Sequence, residues 1–81
     1  MNKLHLDQHI SRQFNEDLEA IRAHIMQMGG LVELQVELAI NALENADSAL
    51  ADSVIEKERE INRLEMLVDE ECMKILVKRQ P

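Results

Sequence analysis

The chain has 81 residues and a formal net charge of −7, from 9 basic and 16 acidic residues. This length allows one small domain, and an acidic balance without a basic stripe excludes the usual kind of nucleic-acid binder. With one Phe, no Trp or Tyr, two Gly and one Pro, the composition favours a few long helices with an aliphatic core over a sheet.

The cellular compartment is indicated by three features of the sequence. A single cysteine, Cys72, excludes an internal disulfide framework and fits a reducing environment. No apolar run approaches the roughly 20 residues needed to cross a bilayer. The first residues also lack the apolar region of a signal peptide. We therefore expect a cytoplasmic chain without a transmembrane segment.

A first helix is predicted over about residues 8–45. Its apolar residues recur at alternating spacings of four and three, which is the seam of a helix that packs on another helix. The seam residues are Phe14, Leu18, Ile21, Ile25, Met28 and Val32. Gln35 interrupts the seam, and Ala39 and Ala42 resume it. Because the seam keeps its phase across Gly29 and Gly30, we predict one continuous helix, in which the glycines permit close approach of a neighbouring backbone.

The three histidines have simple interpretations. His5 and His9 have the spacing of metal ligands on a helix, but no third ligand with matching spacing lies nearby. We interpret them as exposed residues of an N-terminal arm. His24 lies between Ala23 and Ile25 and is interpreted as a solvent-facing residue of the first helix.

A turn is predicted at residues 45–48, because Asp47 and Ser48 are residue types that favour helix N-caps. A second helix then covers about residues 48–79, with Lys74, Lys78 and Arg79 at its carboxyl end, where cations complement the helix dipole. Its seam residues are Leu50, Val54, Ile61, Leu64, Val68, Cys72 and Ile75. The fold predicted for residues 1–81 is a single all-α unit, a long antiparallel helical hairpin.

Both helices have segments that are apolar over most of their circumference, at Leu31–Leu43 and Met66–Val77. A hairpin covers one stripe of each helix, so these segments require further neighbours. We therefore expect self-association, with two hairpins pairing as a homodimeric four-helix bundle.

The candidate site is the pair Glu65 and Asp69. Residues four apart lie on one face of a helix, so these two carboxylates lie close together beside apolar residues. Their charges repel each other, and a bound cation usually neutralises such a pair. The alternative interpretation is that both are ordinary polar residues at the edge of the seam. No catalytic residues are evident: the chain has no Glu-x-x-His pair, and Gly29 and Gly30 are not followed by the lysine of a phosphate-binding loop. We do not expect an enzyme.

Three motifs resemble the beginning of the PhoU family of bacterial phosphate-specific transport accessory proteins. They are His9-Ile-Ser-Arg-Gln-Phe-Asn, Ile25-Met-Gln-Met-Gly-Gly-Leu-Val-Glu and the run from Asp69 to Pro81, in the order and at the distances of the family. The resemblance covers essentially the whole chain. It implies a protein of two similar three-helix bundles, of which these residues would form the first two helices of the first bundle.

The resemblance also implies a function. PhoU-like proteins are negative regulators of phosphate-starvation signalling that couple the phosphate ABC transporter to a sensor histidine kinase. The family holds multinuclear iron or zinc clusters through motifs of the form Glu/Asp-x-x-x-Asp, which Glu65-Met-Leu-Val-Asp69 matches. The companion motif would lie beyond Pro81, so we expect metal in the full-length protein and none in these 81 residues alone. The alternative function is a purely structural dimerisation hairpin without metal or ligand.

Overall fold

The protein is an antiparallel hairpin of two α-helices. A computed structural model describes the backbone of residues 3–79 and the side chains of residues 8–79. Helix α1 spans Lys3–Asn45 and helix α2 spans Ser48–Arg79, and they pack along one another in a rod of 65 × 17 × 15 Å. The predicted all-α hairpin is confirmed.

Helix α1 begins at Lys3 rather than near residue 8, because no glycine or proline before Gly29 interrupts the helical backbone. The segment expected to be an irregular arm is therefore helical from Lys3. His9 is exposed, whereas the side chain of His5 lies outside the described residues.

The connection between the helices is two residues long. Ala46 has a positive φ of 49°, and the amide of Asp47 donates to the carbonyl of Ala42 at 3.1 Å, which is the hydrogen bond of a Schellman motif. The Asp47 carboxylate accepts from the amides of Ala49 at 2.9 Å and Leu50 at 3.2 Å. One residue thus ends α1 and caps α2.

Helix α1 continues through Gly29 and Gly30, as the phase of its pattern predicts, and neither glycine has a positive φ. A Cβ added at either position would meet nothing within 4 Å. The expectation that a neighbouring backbone approaches the glycines closely is therefore wrong within the hairpin. Both glycines are exposed and lie on the side of α1 that faces away from α2.

The residues of α1 that face α2 form what we call the inner stripe. Its members are Phe14, Ile21, His24, Met28, Leu31, Gln35, Leu38 and Ala42. Ile25 and Val32, predicted to lie in this seam, are 48% and 42% exposed, so that part of the prediction is wrong. The helix is rotated about its axis by roughly 50°, half of one residue step, relative to the predicted seam.

The seam of α2 is confirmed, because all seven of its predicted residues are half-buried, and Ser53, Lys57, Glu60 and Glu71 are half-buried beside them. Ile21, at 8% exposure, is nevertheless the only buried hydrophobic residue among the side chains that the structure describes. The hairpin therefore has a half-buried seam rather than a closed core.

Candidate carboxylate site

Glu65 and Asp69 stand one helical turn apart on α2, and both are exposed. Neither carboxylate forms an ion pair with a side chain in the described part of the chain. The predicted pair therefore exists as a geometric unit, open to solvent.

The groove between the helices shows which side of the hairpin this pair occupies. Gln27 and Leu31 of α1 line a shallow groove together with Arg63 and Leu67 of α2. We call this side the groove face. The hairpin has a second broad face, which is formed by the sides of α1 and α2 that are turned away from this groove.

Glu65 and Asp69 lie on that second side, which we call the carboxylate face. Their helix presents Glu58 on the same side, where it accepts a hydrogen bond from Gln35 of α1. The carboxylate face also includes the exposed Ile25 and Val32 of α1. The candidate site is thus a pair of acids beside an apolar strip.

As a metal site the pair is incomplete. Zinc takes four protein or water ligands and a hard cation about six oxygens, and Glu65 and Asp69 supply two carboxylates. Within the described residues, no group of three or more His, Cys, Asp or Glu side chains is arranged to hold a metal ion. The pair by itself therefore supplies too few ligands for either kind of metal, and metal binding by the pair stays a prediction.

A second polar pair joins the two helices inside the seam. The Nδ1 atom of His24 lies 2.7 Å from Oε1 of Glu71, and their side chains are 30% and 21% exposed. The interpretation of His24 as solvent-facing is therefore wrong. The signal that would have found it is its spacing of three from Ile21 and four from Met28, which places it on the inner stripe.

The open end of the hairpin is held by the last residue of α2. The Arg79 guanidinium lies 4.3 Å from the centroid of the Phe14 ring and donates to the carbonyl of Ile10 at 3.2 Å. Stacking of a guanidinium on an aromatic face is favourable. The basic end therefore contributes a tertiary contact in addition to its interaction with the helix dipole.

Neither described helix combines the length and the apolar character that a membrane span requires.

Comparison with known proteins gives consistent results. A family model described as "PhoU domain" matches residues 25–81. The chain is 54% identical over all 81 residues to the phosphate-specific transport system accessory protein PhoU homolog of Pseudomonas aeruginosa. It is 51% identical over all 81 residues to the phosphate-specific transport system accessory protein PhoU of Escherichia coli strain K12. The matched part is 34% of each relative.

A more distant relative, the PhoU homolog of Zymomonas mobilis, is 37% identical over 73 residues, which are 90% of this chain and 31% of that protein. The chain thus spans about a third of the length of the curated relatives it matches. No solved structure matches the chain significantly. Since the domain match covers most of the chain and about half of all its residues are identical to those of these relatives, the chain belongs to the PhoU family.

Proposed function

We propose that this chain forms part of a regulatory accessory protein of phosphate transport, which keeps the phosphate regulon off when phosphate is plentiful. The observation that carries the proposal is identity of 54% and 51% over all 81 residues to relatives named as accessory proteins of the phosphate-specific transport system. In this role the hairpin supplies binding surfaces, and it contributes no catalytic groups.

The proposal includes two partners, the phosphate ABC transporter and a sensor histidine kinase, and places their coupling in the cytoplasm. The rod is 65 Å long and has a groove face and a carboxylate face, so one hairpin offers separate surfaces to two proteins. A net charge of −7 favours basic surfaces on both partners. The free Cys72 agrees with a reducing compartment.

The test is a chimera in which this chain replaces the matching third of the Escherichia coli relative. It is expressed in Escherichia coli that lacks its own PhoU, and a phosphate-starvation reporter is measured in phosphate-rich medium. We expect the reporter to be as low as with the intact relative. A soluble, folded chimera that leaves the reporter as high as in the strain without PhoU would overturn the proposal.

We further propose that Glu65 and Asp69 contribute ligands to an iron or zinc site in the longer protein, and that the hairpin by itself retains no metal. The support is their match to the family motif and their exposed placement one turn apart on one face. The metal would bind two carboxylates from this chain and its remaining ligands from elsewhere.

Elemental analysis of the chimera tests this role. The double variant Glu65→Gln with Asp69→Asn should lose its metal while keeping its circular dichroism spectrum. The matched control is Glu33→Gln with Glu37→Gln, another exposed acidic pair four residues apart, which should keep its metal. Unchanged metal content in the first variant would show that Glu65 and Asp69 are ordinary surface residues.

The alternative function is a purely structural dimerisation hairpin that binds neither metal nor ligand. The observation that favours it is the exposure of large apolar side chains such as Val36 and Leu43, at 52% and 84%. This alternative predicts self-association of the hairpin but no repression of the reporter by the chimera.

A further inference from the structure

The groove between the helices is longer than the part described above. A second depression, of about 210 Å³, is lined by Ala20 of α1 and by Lys74 and Lys78 of α2. Ala20 and Lys74 are two helical turns from Gln27 and Leu67, which line the first depression, of about 320 Å³. Both depressions therefore lie on the groove face and form one groove.

The acidic side chains of the groove are all engaged within the hairpin. Three carboxylates line the two depressions, and all three side chains are half-buried. Each is hydrogen-bonded to a neighbouring side chain, in the pairs Gln13 with Asp17 at 3.0 Å, His24 with Glu71 at 2.7 Å and Lys57 with Glu60 at 3.3 Å. These carboxylates therefore already have partners in the free hairpin.

The basic side chains of the groove have no such partners. Arg63, Lys74 and Lys78 line it and are exposed. None of the three forms a hydrogen bond or an ion pair with another residue in the described part of the chain. Lys74 and Lys78 complement the dipole at the end of α2, but Arg63 lies in the middle of that helix. In a chain with a net charge of −7, the groove therefore has three cations that are available to an anionic ligand.

The groove is apolar between its cations. Leu31 of α1 and Leu64 and Leu67 of α2 line the stretch beside Arg63, and Leu67 is 38% exposed. Arg63 and Lys78 are 15 residues apart, which is about 22 Å along α2. That length corresponds to about four turns of a helix. An apolar stretch between charged ends is the pattern of a groove that binds an amphipathic helix.

The other broad face is better suited to the remainder of a longer chain. The metal site proposed above takes its remaining ligands from elsewhere in the longer protein, and Glu65 and Asp69 lie on the carboxylate face. That face also exposes the large apolar residues Ile25 and Val32, at 48% and 42%. Permanent contacts are more hydrophobic than transient ones. The charged groove face is therefore the side that is left for a partner protein.

We propose that the groove face binds an acidic amphipathic helix of a partner protein. Carboxylates near the two ends of that helix pair with Arg63 and with Lys74 and Lys78, and its apolar side chains cover Leu31 and Leu67. The inference deepens the regulatory role proposed above and rests on it, because it names the kind of segment that a partner presents. The net charge of the hairpin favours basic partner surfaces, whereas the groove selects an acidic one.

A synthetic peptide tests the groove directly on the chimera described above. The probe is a labelled helical peptide of about four turns, with glutamates near both ends and leucines between them, and its binding is measured by fluorescence anisotropy. Arg63→Glu with Lys74→Glu should weaken binding by about ten-fold or more, and Arg63→Gln with Lys74→Gln should weaken it less. Arg12→Glu with Arg59→Glu is the matched control, because both arginines are exposed and line neither depression. The control should bind the peptide as the parent chimera does.

The proposal is overturned if the parent chimera does not bind the peptide, or if the groove variants and the control bind it equally well. Equal binding of a peptide in which lysines replace the glutamates would overturn it too. Binding by the 81-residue chain but not by the chimera would show that a segment of the longer protein occupies the groove, which also contradicts the proposal.

The phosphate-starvation reporter separates this inference from the regulatory role. If the parent chimera represses the reporter, Arg63→Glu with Lys74→Glu should abolish repression while the circular dichroism spectrum and the metal content stay unchanged. The Arg12→Glu and Arg59→Glu control should still repress. Repression by both variants would show that the groove is not the docking site. A parent chimera that does not repress would contradict the regulatory role, and the peptide measurement would still decide what the groove binds.

Discussion

Helix α1 has two stripes that differ in how far they are covered. The inner stripe faces α2, and a second stripe, turned by about 100° from it, is called the outer stripe here. The outer stripe comprises Leu18, Ile25, Gly29, Val32, Val36 and Leu43. The inner stripe packs against α2 although it contains His24 and Gln35, and both polar side chains find partners in Glu71 and Glu58. The outer stripe is almost wholly apolar, yet Val36 and Leu43 are exposed. The stripe that becomes buried is therefore the one that fits the neighbouring helix, which need not be the more apolar one. Polar residues can lie in such a seam if they are hydrogen-bonded.

The largest expected effect comes from breaking the inner seam on both helices. Leu38 and Ile75 are both half-buried in it, and an uncompensated carboxylate in such a place costs several kcal/mol. Leu38→Asp combined with Ile75→Asp should therefore abolish the helical circular dichroism signal, because the loss exceeds what a small domain can sustain. Leu34→Asp with Met66→Asp, which lie on neither stripe, should keep that signal. A helical spectrum in the first variant would show that the inner seam does not hold the hairpin together.

The two glycines show whether anything packs beside the middle of α1. Gly29→Ala and Gly30→Ala should each raise the free energy of unfolding by about 1 kcal/mol, because alanine favours a helix and an added Cβ meets nothing within 4 Å at either position. Urea unfolding at one chain concentration measures both gains. A loss of stability in either variant would show that a contact outside the hairpin needs the glycine there.

The polar pair of the inner seam can be measured with a double-mutant cycle. His24→Ala and Glu71→Ala should couple by about 0.5–1 kcal/mol, the range for a pair that is partly exposed. The Glu19 and Arg22 pair is the control, because its side chains are 67% and 68% exposed and its coupling should be near zero. A His24–Glu71 coupling energy no larger than that of the control would mean that this pair does not stabilise the hairpin.

Several features of the molecule were determined by the sequence itself, because they depend on local interactions. Long aliphatic and charged runs with few glycines specify helix. Asp47 specifies the turn because its carboxylate can satisfy the first amides of α2. The constant phase of the apolar pattern carried α1 through Gly29 and Gly30. The pairing of Glu65 with Asp69 on one face also follows from their spacing alone.

Only the tertiary structure decided which side of α1 meets α2. Leu18, Ile25 and Val32 belong both to the predicted seam and to the outer stripe, so the same apolar pattern is satisfied by two rotations of the helix about 50° apart. Local periodicity cannot separate them. The choice depends on α2, whose Glu71 and Glu58 bond to His24 and Gln35 and whose surface receives Leu31 and Leu38. The rotation of α1 therefore depends on contacts between two segments that are far apart in the chain. These contacts leave Ile25 and Val32 exposed to solvent.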